Sequence, residues 1–70
     1  MERILITLDR HAIAYVRFIF EGYDGLGTVS TVDRNLAQAL IAYSTGNRAA
    51  VLALIRALQD EGAIKEVFAT

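Results

Sequence analysis

"LGTVSTVDRNLAQALIAY", residues 26–43, predicts a β-hairpin in the middle of the chain. Its first half is rich in threonine and valine, which favour strands. Asp33, Arg34 and Asn35 follow with residue types typical of a tight turn, because Asp and Asn side chains hydrogen-bond to nearby backbone groups. The second half, residues 36–43, is therefore the return strand of the hairpin.

The return strand has two different faces, since side chains alternate along a strand. One face carries small alanines that let a helix approach closely, and we expect the helices to cover it. That face consists of Ala37, Ala39, Ile41 and Tyr43. The other face consists of Leu36, Gln38, Leu40 and Ala42.

The segment before the hairpin predicts a strand and then a helix. Residues 3–9 alternate in a strand pattern with several β-branched side chains. Asp9 suits the N-cap of a helix that starts at Arg10, because its carboxylate can accept amide N–H groups of the first turn. Gly22 stands where a left-handed C-terminal cap is expected. The apolar stripe of this helix comprises Ala12, Ile13, Val16, Ile19, Phe20 and Tyr23.

The segment after the hairpin predicts a second helix and a last short strand. Residues 44–48 form a loop, and Asn47 or Thr45 is suited to cap the helix that follows. Gly62 ends this helix, and residues 63–68 form the strand. The core positions of the second helix are Val51, Leu54, Ile55 and Leu58.

The order strand, helix, strand, strand, helix, strand predicts one α+β domain, residues 1–70. With right-handed crossovers it gives a ferredoxin-like βαββαβ sandwich. We expect a four-stranded antiparallel sheet in the order 4-1-3-2, with both helices on one face.

The composition predicts self-association. The 70 residues are 54% hydrophobic, whereas average domains reach about 45–50% only when glycine is included. A chain of this length buries only about 60% of its unfolded surface, and it has no cysteine to form disulfides. A homo-oligomer is the remaining common remedy. The candidate interface residues are Tyr15 and Phe18 on the first helix and Leu5, Leu36 and Leu40 on the outer sheet face.

Charge and hydropathy exclude two classes of partner. The net charge is −1 and no basic stretch is present, so we expect no binding to nucleic acid. The longest apolar run, residues 49–55, is far shorter than the ~20 residues that cross a bilayer. We expect a cytoplasmic protein without a membrane partner.

The glycine-rich stretch "EGYDGLG", residues 21–27, is predicted to be a turn. Phosphate loops run from a strand into a helix N-terminus, where the amides and the helix dipole meet the anion. This stretch runs out of a helix and into a strand. Gly25 permits a positive φ after Asp24, and Gly27 is a candidate β-bulge.

Catalysis and bound metal have no support in the residue types. There is no cysteine and only one histidine, His11, so neither a metal-ligand set nor a nucleophile with its base is apparent. RNA-binding versions of the fold stack bases on aromatic residues of the central strands, and here Tyr43 is the only one. We expect no enzymatic activity, no metal and no cofactor.

One pole of the predicted fold gathers charged side chains, because the end of strand one, the start of helix one, the hairpin turn and the end of helix two share one edge. An amino acid is the ligand that fits: its carboxylate would meet the free amides of the first helical turn, with help from arginine side chains, and its ammonium group would meet Asp9. A small anion alone, or no ligand, are the alternatives. The candidate ligand residues are Asp9, Arg10, His11 and Arg34, within a pole that also includes Asp33, Asp60 and Glu61.

The stretch "FIFEGYDGLGTVSTVD", residues 18–33, resembles the signature of a family of short bacterial proteins known only as a domain of unknown function. The layout also resembles the ACT-like regulatory domains, and this resemblance implies paired subunits that bind amino acids between them. Two hypotheses stay open: a homo-oligomeric ligand-binding or regulatory module, and a protein-interaction or scaffold module without a small ligand.

Overall fold

Four strands and two α-helices make up the computed structural model, which describes residues 1–22 and 25–68. Tyr23, predicted on the stripe of the first helix, and Asp24 lie outside the described residues. Short 3₁₀ turns, Arg10–Ala12 and Thr45–Asn47, precede the two helices. The elements are β1 (Glu2–Leu8), α1 (Ile13–Gly22), β2 (Thr28–Asp33), β3 (Gln38–Tyr43), α2 (Arg48–Glu61) and β4 (Ile64–Phe68).

The four strands form one antiparallel sheet in the order β2-β3-β1-β4. The predicted order 4-1-3-2 is the same order counted from the opposite edge, so the predicted α+β arrangement is confirmed. β1 and β3 lie at the centre, which places the two ends of β1 next to the two ends of β3.

The core lies between the helices and one face of the sheet. Ile6 and Ile41 of the central strands, and Val16, Phe20 and Val51 of the helices, are all buried. The predicted helix-covered face of β3 is confirmed for Ala39, Ile41 and Tyr43, which are buried, whereas Ala37 is buried in the loop before β3. The predicted stripe of α2 is also confirmed, with Val51, Ile55 and Leu58 buried and Leu54 packed against them.

Asp9 and Gly62 have the helix-end roles that were predicted for them. The Oδ1 atom of Asp9 accepts the N–H of His11 at 2.8 Å. Gly62 has φ +86°, and the N–H groups of Gly62 and Ala63 donate to carbonyls of the last turn of α2, as in a Schellman motif. Gly22 does not have the predicted role: it is the last residue of α1, and the described glycines with positive φ are Gly25 and Gly62.

The hairpin loop is longer than predicted. β3 begins at Gln38, because the Asp33 carboxylate accepts the N–H of Leu36 at 3.0 Å and the chain turns through four residues before it pairs again. Leu36 therefore lies in the loop, 63% exposed, and the prediction that it is on the outer sheet face is wrong. Ala37 closes the loop in a left-handed conformation, with φ +53°.

The strand irregularities are not at Gly27. The register shifts lie between Thr7 and Leu8 and between Thr31 and Asp33. Gly27 instead allows two backbones to approach, because a Cβ atom on it would lie 2.6 Å from the carbonyl oxygen of Ala42.

Candidate functional site

The predicted ligand residues come from two segments that the sheet brings side by side. Arg10 and His11 follow β1, and Arg34 begins the loop between β2 and β3. The N–H of Leu8 donates to the carbonyl oxygen of Ala37 at 3.0 Å. This hydrogen bond ties the end of β1 to the end of the hairpin loop.

Arg10, His11 and Arg34 line one surface depression of about 490 Å³, together with Ile13. We call it the cationic depression. In the part of the chain that the structure describes, the side chains of Arg10, His11 and Arg34 make no hydrogen bond or ion pair. Among the described residues, no carboxylate lines the depression. Three of the four predicted ligand residues therefore lie together, with their side-chain donors available.

Asp9 faces a neighbouring, smaller depression of about 330 Å³, which His11, Tyr15 and Glu61 also line. The Tyr15 hydroxyl donates to Glu61 Oε1 at 3.0 Å. This hydrogen bond, with a smaller contribution from desolvation, raises the pKa of Tyr15. His11 thus stands between a depression lined by arginines and one lined by carboxylates.

The backbone amides at the start of the first helix are less available than predicted. The His11 N–H is bound by the Asp9 carboxylate, and the Ala12 N–H donates to the Asp9 carbonyl oxygen at 2.8 Å. The Asp9 cap was expected to occupy one amide of the first turn, and the structure shows a second one occupied, that of Ala12. The expectation that the other amides are free for an anion is therefore wrong for Ala12. Any anion in the cationic depression would depend mainly on side chains.

The remaining predicted pole residues contribute little to either depression. The Asp33 carboxylate accepts a hydrogen bond from the Leu36 N–H in the hairpin loop. Asp60 is exposed on α2 and lines neither depression. Glu61 alone joins Asp9, through the smaller depression.

The opposite end of the domain has a larger cleft, of about 770 Å³, between the start of β1, the end of β3 and α2. Two of its charged groups, Glu2 and Arg48, are paired with each other. Glu2 Oε1 accepts the Tyr43 hydroxyl at 2.9 Å and lies 3.5 Å from Arg48 Nη1. We call these three residues the paired network. Burial, followed by the hydrogen bond to Glu2, raises the pKa of Tyr43.

Sequence reasoning did not find the paired network, although a signal existed. Glu2 and Tyr43 are directly opposite in the register of β1 and β3, which follows only once that register is known. The loop before α2, residues 44–48, has one arginine and the two predicted cap residues. Its Arg48 is engaged by Glu2, and its Asn47 occupies the N-cap position without capping through its side chain, since Asn47 Nδ2 donates to the Leu26 carbonyl at 3.3 Å. Thr45, the alternative cap, lies inside the 3₁₀ turn.

Two of the predicted interface residues are exposed on α1: Tyr15 at 45% and Phe18 at 70%. Leu5 and Leu40 are half-buried on the sheet face away from the core. Their role in an interface stays a prediction. Among the described residues, no helix is long and apolar enough to cross a membrane, and no group of three or more His, Cys, Asp or Glu side chains is placed to hold a metal ion.

The chain belongs to the family described as "Domain of unknown function (DUF4911)", whose model matches residues 6–61. The match includes α1, the hairpin and all of α2, and with them Asp9, Arg10, His11 and Arg34. No curated protein and no solved structure matches the chain.

Proposed function

We propose, for this member of a family without an assigned function, a homo-oligomeric module of regulatory, ACT-like type that binds an amino acid or a small anion. Its role is binding and not catalysis. The observation that carries the proposal is the cationic depression, where Arg10, His11 and Arg34 converge from two chain segments without a protein partner for their side chains among the described residues.

The chemistry of the depression favours a carboxylate or a phosphate. A guanidinium group is a planar donor that binds such anions through two parallel hydrogen bonds. Arg10 and Arg34 approach the depression from different elements, so one anion can contact both. Their mutual repulsion is relieved when an anion lies between them, which makes the site more favourable for a ligand than for water alone.

The neighbouring carboxylates favour an amino acid over a simple anion. Asp9 and Glu61 line the adjoining depression, and His11 is common to both. An α-amino acid with its carboxylate at Arg10 and Arg34 would have its ammonium group on the side of Asp9. Asp9 keeps one carboxylate oxygen available, because its hydrogen bond to the His11 N–H uses only Oδ1.

A thermal-shift panel tests the proposal. Purified protein is heated with each amino acid, with phosphate and with small carboxylates, and a true ligand at about a hundredfold excess over Kd stabilises the fold by about 2.7 kcal/mol. Arg34→Ala and Arg10→Ala should each abolish most of the shift. Arg56→Ala is the matched control, since Arg56 is an exposed arginine on α2 that does not line the depression.

The results distinguish three cases: an amino-acid ligand, a simple anion and no ligand. A shift with amino acids but not with their deaminated acids supports the zwitterion, and Asp9→Asn should then reduce it. A shift of equal size in the Arg34→Ala variant and the parent places the ligand elsewhere. No shift with any compound rejects ligand binding in favour of the second candidate.

The second candidate is a protein-interaction or scaffold module without a small ligand. The exposure of Phe18, at 70%, favours it, because a large aromatic side chain on a helix surface is a frequent component of protein interfaces. This candidate predicts that no compound in the panel stabilises the fold.

A further inference from the structure

Neither helix covers the second face of the sheet. Directly opposite residues of antiparallel strands point to the same side, so the register assigns the side chains of this open face. Leu5 lies opposite Leu40 on one side and Phe68 on the other. These three residues form an apolar band across β3, β1 and β4. The rest of the open face includes Arg3, Thr7, Gln38, Ala42 and Glu66.

Two charged side chains of the open face, Arg3 and Glu66, lie on opposite sides of this band. Arg3 precedes Leu5 along β1 and lies opposite Ala42. Glu66 lies opposite Thr7, beyond the band at the other end of the strands. A two-fold rotation about an axis across the strands exchanges these two ends. The rotation would stack the apolar band of one molecule on the apolar band of the second, and it would bring Arg3 of one copy within reach of Glu66 of the other.

The edge of the sheet at β2 is a poorer place for self-association. In α1, Arg17 and Glu21 form an ion pair at 3.7 Å. Arg17 Nη2 donates to the Val29 carbonyl oxygen at 3.0 Å, and Glu21 accepts the Val29 N–H at 2.9 Å. Both backbone groups of Val29 are thereby used, so a strand from another molecule has no partner there. Side chains that occupy edge groups are a known way to prevent edge-to-edge pairing.

We propose that the open face is the homodimer interface and that its occupant is a second copy of this chain, packed face to face in the antiparallel, two-fold arrangement. The inference rests on the self-association within the proposed function and does not depend on the ligand. The face is about 19 Å by 20 Å, from four strands about 4.8 Å apart and about 3.3 Å per residue. Two copies then bury about 800 Å² in total, which is below the roughly 1,200 Å² at which stable specific interfaces begin and is in the range of weak, transient ones. The dimer is therefore weak and reversible.

Sedimentation of the full chain, from about 1 µM to about 500 µM, tests the interface. The parent should rise from 7.7 kDa towards twice that mass. Leu40→Glu should weaken association by about tenfold or more, since it places a charge in the apolar band. Phe18→Glu, the control on α1, should associate like the parent. A parent that stays monomeric throughout rejects both the dimer and the self-association in the proposed function.

The orientation of the two copies has its own test, which does not depend on how well Leu40→Glu folds. Arg3→Glu and Glu66→Arg should each weaken the dimer, because each places like charges opposite one another. The double variant should recover most of the association of the parent. A dimer that is broken by Phe18→Glu and unaffected by Leu40→Glu contradicts the open face but leaves the proposed homo-oligomer intact. Failure of the double variant to recover rejects the antiparallel arrangement.

Discussion

The two ends of the domain differ in how their charged side chains are paired. At one end, Glu2 accepts a hydrogen bond from the Tyr43 hydroxyl and lies 3.5 Å from Arg48. At the other end, Arg10 and Arg34 face a common depression, and no described residue pairs with either side chain. The paired end has the larger cleft, about 770 Å³ against about 490 Å³.

The difference shows that the size of a cleft and its readiness for an anion are separate properties. At the paired end, an anion must compete with Glu2 for Arg48. At the other end, the arginine donors already point to solvent. The paired end is therefore interpreted as structural, because it joins the starts of β1 and α2 to the end of β3. Stability measurements at the two ends test this interpretation.

The largest effect is expected from Gly27→Ala at the paired end. A Cβ atom there would lie 2.6 Å from the Ala42 carbonyl oxygen and 3.4 Å from Tyr43 Cβ. Because the closest atom belongs to the backbone of β3, the strands must move apart, and we expect a loss of about 2 kcal/mol in the free energy of unfolding. Urea denaturation measures it.

The matched control for this substitution is Gly46→Ala in the loop before α2. A Cβ atom on Gly46 meets nothing within 4 Å, and its φ is not positive. The change should be neutral, or stabilising by up to about 1 kcal/mol, since alanine restricts the unfolded chain. Equal losses in the two variants would show that the approach of Gly27 to Ala42 has no special role.

A smaller loss of stability is expected from Tyr43→Phe. This variant removes the hydroxyl that donates a hydrogen bond to Glu2 and keeps the buried ring. Tyr43 is 4% exposed, so the ring retains its packing and only the hydrogen bond is lost. Glu2 keeps its ion pair with Arg48. We expect a decrease in Tm that is smaller than that of Gly27→Ala, and Tyr15→Phe, at the opposite end, serves as the control.

The same variant should change the stability at alkaline pH. Burial and the Glu2 hydrogen bond raise the pKa of Tyr43 above its ordinary value, which is about 10 in unfolded chains. The folded state then holds its proton where the unfolded state loses it. The contribution of Tyr43 is therefore complete below about pH 10 and is lost as the pH rises above it. Tyr43→Phe should show a shallower decline in stability over that range.

The sequence predicted the fold well because the elements have strong local signals. The alternation of residues 36–43, the cap at Asp9 and the glycine at Gly62 each depend on neighbours in sequence. Three of the four predicted ligand residues also came together, since topology alone places Arg34 beside Arg10. The length of the hairpin loop was not predictable, because it depends on one hydrogen bond from Leu36 to Asp33.

The paired network could not be predicted from local patterns either. Its members are Glu2, Tyr43 and Arg48, which are far apart in sequence and meet only through the register of β1 with β3 and the start of α2. The occupied amide of Ala12 has a similar origin. It follows from a 3₁₀ turn at Arg10–Ala12 where the pattern predicted an ordinary α-helix start.

The smallest effect on stability is expected from Arg34→Ala at the cationic depression. This variant is the most specific test of the difference between the two ends. Arg34 is exposed and has no ion pair or side-chain hydrogen bond with the residues that the structure describes. Its removal deletes no hydrogen bond or ion pair with a described residue. Without ligand, the free energy of unfolding should change by less than about 0.5 kcal/mol, in either direction.

Arg48→Ala replaces the matched arginine of the paired network. It should reduce the free energy of unfolding modestly, because the ion pair of Arg48 is largely exposed. A loss in Arg34→Ala larger than that in Arg48→Ala would reverse the assignment of the two ends, since it would make Arg34 a structural residue and remove the main reason to expect a ligand beside it.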